Sequence, residues 1–148
     1  MTTEEPQRAG RIVVGCDGSP AGADALGWAA DMAESTGATV EVIAAWQWPT
    51  GYGAGPMIPT GYDPSGDASR LVGEAIETAG AAHPGVAFVP TVVEGHPATV
   101  LVDASRGAEL LALGSRGHGE LGGLLLGSVA GHCAAHAHCP VLVLRQGT

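Results

Sequence analysis

Two hydrophobic patterns alternate along the chain. One is a short unbroken apolar run rich in β-branched residues, which reads as a strand buried on both faces. The other places apolar residues at helical spacing. The first run covers 11–16, from Arg11 through Ile12, Val13 and Val14 to Cys16. Ser19-Pro20 follows, an N-cap and a proline at the first helical position. Ala25, Leu26, Ala29, Ala30 and Ala33 then recur on one helical face, and Gly37 supplies the stop. A second strand is predicted over 39–46. One helix between two strands makes a βαβ unit, whose strands are parallel.

The pattern breaks over 47–66, where four prolines and five glycines fall in twenty residues. An irregular loop is predicted there; loops of that length are uncommon in compact domains. A helix is predicted over 67–82, with Leu71, Val72, Ala75, Ile76 and Ala79 on one face and His83-Pro84-Gly85 ending it. A strand over 86–93 holds Pro90, which suits a sheet edge. A short helix starts at Gly95-His96-Pro97, turns Val100, Leu101 and Ala104 inward and closes at Gly107. A strand over 109–115, a glycine-rich loop, a helix over 128–137 and a last strand over 139–145 complete the order. This alternation predicts an α/β fold, a single open doubly wound parallel sheet with helices on both faces. At 148 residues the chain fits one domain. Residues 1–10 read as a frayed lead-in and 11–148 as the domain.

Composition narrows the function. Aromatic residues make up only 4%, so the core must be built from small aliphatic groups. The formal charge is −9 and the chain has no lysine. Such a chain repels a polyanionic backbone, which argues against nucleic acid as a partner. No apolar run reaches the ~18–20 residues of a membrane span. The polar lead-in with Glu4 and Glu5 does not read as a secretory signal. Cys16, Cys133 and Cys139 form no CxxC pair, and they read as reduced thiols of a cytoplasmic protein.

The segment with the most chemistry is 114–128, rich in glycine between a strand and a helix. In an open parallel sheet, ligands sit beyond the carboxyl ends of the strands. Glycine lets phosphate oxygens approach the backbone, and the helix start at Ser128 points N–H groups and a positive dipole end at the same place. The loop is not a P-loop, because the Gly-Lys-Ser/Thr triplet is missing. It is not the dinucleotide GxGxxG either, which would follow the first strand. Asp17, at the end of that strand, is placed to accept from ribose hydroxyls or an adenine amine. Arg116 is the loop's cation and suits a phosphate.

Gly114, Gly117, Gly127 and Ser128 match the spacing G-x2-G-x9-G-[ST], and here the chain resembles the ATP-binding universal stress proteins. The opening Ile-Val-Val-Gly-Cys-Asp-Gly-Ser-Pro and the closing Cys-Pro-Val-Leu-Val-Leu are similar to the ends of that family. The resemblance runs from about Arg11 to Arg145. It implies a five-stranded sheet in the order 3-2-1-4-5, with ATP held between the ends of the first and fourth strands. It implies that Asp17 lies near ribose and adenine with Gly15 in the floor of the site beneath it, and that Ala45 lies near the backbone position pairing with adenine. Gly114, Gly117, Gly127, Ser128 and Val129 would contact ribose and phosphates. Mg²⁺ or Mn²⁺ bridging the phosphates, and a homodimer joined through the last strand, Pro140 to Leu144, are also implied. Gly15 stands where some ATP-binding members have proline.

Other residues admit plainer readings. His132 and His136 are four apart on one helix, a spacing that can chelate zinc together with His138, Cys133 or Cys139. No carboxylate lies nearby in sequence, and they read as helix-surface residues. His118 in the glycine loop reads as solvent-facing, Cys16 as a small buried group, and Trp28 as a packing or contact residue. Three functions follow: a nucleotide-binding regulatory module in the stress response without efficient chemistry, a slow ATPase or nucleotidyl transferase using His118 or Glu120, and a protein-interaction module that uses no nucleotide.

Overall fold

The computed structural model describes residues 10–48, 61–116 and 126–145. Within them the order is β1 (Arg11–Gly15), α1 (Pro20–Thr36), β2 (Thr39–Trp46), α2 (Pro64–Ala82), β3 (Phe88–Glu94), α3 (Pro97–Ala104), β4 (Leu110–Gly114), α4 (Ser128–His136) and β5 (Val141–Leu144). The five strands form one sheet in the order β3-β2-β1-β4-β5. All four pairings are parallel. This is the expected doubly wound sheet, with Pro90 on the edge strand β3.

Successive residues of the central strands serve opposite layers. Ile12 and Val14 of β1 join Val40, Val42 and Ala44 of β2 beneath α1 and α2. Val13 points the other way and meets Ile43, Leu111, Leu113 and the α3 residue Leu101. Burial on both faces explains why these strands read as unbroken apolar runs. The layer under α1 is built on Ala25, Ala29, Ala30 and Ala33, all 3% exposed or less.

The helix starts follow local chemistry. Ser19 Oγ accepts from the Gly22 N–H at 3.1 Å, with Pro20 at the first helical position. Asp63 and Pro64 repeat the device, Asp63 Oδ1 accepting from the Gly66 N–H at 3.0 Å. That cap starts α2 at Pro64 rather than at 67, because a proline at the first turn costs no hydrogen bond. The expected irregular loop therefore ends three residues early, and 49–60 lie outside the described residues. Gly37 has a φ of 79° and ends α1, while Gly107, with a φ of 76°, follows α3. Ser105 is fully buried; its hydroxyl donates to Val102 O at 2.6 Å and accepts from the His138 N–H at 2.8 Å. That pair of bonds ties the end of α3 to the entry of β5.

Candidate functional site

β1 and β4 are neighbours, and their carboxyl ends open into a cavity of about 220 Å³. Gly15, Asp17, Ala45, Gly114, Arg116 and Val129 all line it, brought together from β1, β2, β4 and α4. Its floor is apolar, with Ile43, Leu101 and Leu113. Gly127 is buried and Ser128 exposed at the start of α4, and neither lines the cavity. Gly117 lies outside the described residues, as do His118 and Glu120.

The chain leaves β1 in a tight turn. The Cys16 N–H continues the ladder to Ile43 O at 2.8 Å. Asp17 Oδ1 then accepts from the Ser19 N–H at 2.9 Å, and Gly18 takes a φ of 83°. A left-handed residue at this point reverses the chain into α1, and glycine adopts it without strain. Asp17 stays exposed at the cavity rim. The Cys16 thiol is pushed up from its ordinary pKa chiefly by burial; the Gly18 backbone N–H opposes this, and the Asp17 charge adds the smallest upward effect. Cys133, buried behind β4, is raised by burial to about 11. Both remain thiols at neutral pH, with little nucleophilic character, and Cys16, Cys133 and Cys139 are all free.

Gly114 has a role the sequence did not announce. A Cβ there would meet the Ala21 Cβ at 2.7 Å and the Gly22 backbone nitrogen at 2.9 Å. Its lack of a side chain lets β4 lie directly against the first turn of α1. Gly15 is less constrained, since a Cβ would meet only the flexible end of Leu101.

The start of α4 differs from the other helix starts. Ser19, Asp63 and His96 each accept a hydrogen bond from their own helix's first turn. Gly127 precedes α4 and has no side chain to do so. The Gly127 N–H donates to Ser115 O at 2.6 Å, which holds the helix start against the end of β4. Its first-turn N–H groups thus begin beside the cavity without a side-chain cap, which favours an anion.

A larger cavity, about 430 Å³, was not foreseen. It lies between α1 and α2, with Gly22 and Leu26 facing Leu71, Ala75 and Ala79. The readable signal was the small residues on both helices. The two cavities share Gly15, Cys16, Asp17, Ser19 and Leu71 as a common wall. His132 and His136 sit with ring centroids 4.5 Å apart on the exposed side of α4. No third ligand joins them among the described residues.

A family model described as the universal stress protein family matches residues 9–145. Universal stress protein Rv2624c of Mycobacterium tuberculosis is 36% identical over 138 residues, covering 91% of this chain and 48% of the relative. The chain spans about half the length of the curated relatives it matches. Among solved structures, the fold is similar to universal stress protein UspA from Lactobacillus plantarum, with a TM-score of 0.72 and 19% identity over 93% of this chain and 99% of that one. It is also similar to a universal stress protein in complex with cAMP, with a TM-score of 0.69 and 26% identity over 94% and 98% of the two chains.

Proposed function

The chain belongs to the universal stress protein family, and from that premise we propose that it binds ATP in the strand-end cavity as a nucleotide-dependent regulatory module of the stress response. The observation that carries this reading is the convergence of Gly15, Asp17, Ala45, Gly114, Arg116 and Val129 on one cavity beside the uncapped start of α4. The cAMP bound by a similar protein supports an adenine nucleotide. Asp17 takes the ribose and adenine end, because a carboxylate next to phosphate would repel it. Ala45 offers backbone to the base. Arg116, Gly114, Gly117, Ser128, Val129 and the α4 dipole take the phosphates, Gly127 holding the helix start against β4 through its N–H, with Mg²⁺ or Mn²⁺ offsetting the charge of an acidic chain. The cavity's described titratable groups are Cys16, Asp17 and Arg116. The thiol is held protonated and Asp17 is engaged with the Ser19 N–H. That set favours holding a nucleotide over consuming one. A cytoplasmic setting fits the free thiols, and no helix among the described residues is long and apolar enough to cross a membrane.

Calorimetry with ATP and Mg²⁺ tests the reading. Arg116→Ala is expected to weaken ATP about tenfold and adenosine hardly at all, the worth of one charge-assisted hydrogen bond. Asp17→Ala is expected to weaken both alike. Affinity poorer than millimolar for the unaltered chain, or adenosine and ATP responding identically to Arg116→Ala, would sink the phosphate assignment.

The proposal extends to a homodimer through β5. Val141, Leu142, Val143 and Leu144 are all half-buried on a sheet edge whose outer side has no partner strand among the described residues. An apolar edge of this kind is a ready template for strand pairing. Sedimentation equilibrium should report a dimer, and Val143→Lys should shift it to monomer. A monomer in the unaltered chain rules the interface out.

A further inference from the structure

We propose that Asp31, Glu34 and His83 form a binding site for one divalent transition-metal ion of the zinc type, at the end of the α1–α2 layer away from the strand-end cavity. Asp31 and Glu34 stand one turn apart near the end of α1, and His83 is the C-cap of α2. Their ligand atoms lie within 4.8 Å of one another. An imidazole and two carboxylates make a set that zinc accepts, and a solvent-facing position leaves room for water as the fourth ligand.

The His83 imidazole sets the chemistry of the cluster. Its side chain is 13% exposed, and each ring nitrogen faces a carboxylate oxygen. Nδ1 lies 3.0 Å from Glu34 Oε2, and Nε2 lies 3.4 Å from Asp31 Oδ1. A neutral imidazole has one donor nitrogen and one acceptor. Here the acceptor nitrogen stands beside a carboxylate oxygen with no proton between them, an arrangement that repels unless a cation is shared. Nδ1 is buried and makes no hydrogen bond despite the short approach. The alignment a proton would need is absent, while an ion is free of the N–H···O angle.

The surroundings favour a cation. Two helix C-termini converge here, and neither last turn carries a basic residue. Both dipoles present their negative ends. Arg11 is engaged by Glu41 and Arg70 by Asp67. The carboxylates are 71% and 48% exposed, so both can rotate the short distance needed to close on an ion. Since His83 also lines the 430 Å³ cavity, a bound ion would fix the spacing of α1 and α2 at that end.

The test is calorimetric titration of the full chain with ZnCl₂ after chelator treatment and without nucleotide, alongside thermal unfolding. One Zn²⁺ per chain and a higher Tm are expected. Asp31→Asn, Glu34→Gln and His83→Gln should each weaken zinc by at least about tenfold. The His132→Ala/His136→Ala double variant should bind zinc as before. Asp31 is exposed enough that its variant folds, which separates lost binding from lost structure. Zinc binding that survives His83→Gln, or that disappears with the α4 histidines, overturns the site. So does a chain that ignores zinc and is stabilised only by acid, because a proton would then be the shared cation.

Discussion

Gly114→Ala is expected to lower stability by about 3 kcal/mol, the upper end of what overpacking a close contact costs. The added methyl would meet the Ala21 Cβ at 2.7 Å, the Ala21 carbonyl carbon and the Gly22 nitrogen both at 2.9 Å. Two of those atoms belong to the backbone of α1, so relief requires the helix to move off β4. At about 2–4 °C per kcal/mol for a domain near this size, Tm should fall by roughly 6–12 °C. Thermal unfolding followed by circular dichroism reads this directly. The experiment separates two roles for one residue. If Gly114 served only the phosphates, the variant would lose ATP affinity and keep its Tm. An unchanged Tm would therefore discard the packing role.

Leu111→Ala should cost about 2–5 kcal/mol, the range for emptying a fully buried leucine site. Leu111 is inaccessible to solvent and lies on β4, opposite Val13 of β1 on one side and Val141 of β5 on the other. It packs with Ile43, Leu101, Ala130 and Cys133 on the α3–α4 layer. Urea denaturation should show a lower midpoint at an unchanged slope. A loss under about 1 kcal/mol would mean that the layer repacks around the hole.

The fold was legible in the sequence because the pattern obeyed elementary rules almost everywhere. Unbroken runs such as Ile12-Val13-Val14 marked strands covered on both faces, and Pro90 marked an edge. The boundary missed at Pro64 is instructive. Asp63-Pro64 is the same cap as Ser19-Pro20, but it sits inside a proline- and glycine-rich stretch whose composition hid it. The strand-end site was partly legible. Asp17 and Arg116 could be placed by their neighbours in sequence, whereas Ala45 came through family resemblance. The packing of Gly114 against α1 depends on a contact between distant segments, and no local pattern reports it. The same holds for His83, which reads in sequence as the end of a helix and in space as the partner of two carboxylates on another.

The pairing of β1 with β4 has a kinetic consequence. Those strands, Arg11–Gly15 and Leu110–Gly114, stand far apart in the chain, yet they lie side by side at the centre of the sheet with Val13 opposite Leu111. β1, α1 and β2 can assemble from neighbouring sequence, but the seam with β4 closes only after a long loop has surrendered its entropy. The strand-end cavity straddles that seam, with Gly15 and Asp17 on one bank and Gly114 and Arg116 on the other. No fragment lacking either strand contains both banks, so a ligand held there would favour the fully assembled chain over any intermediate with the seam still open.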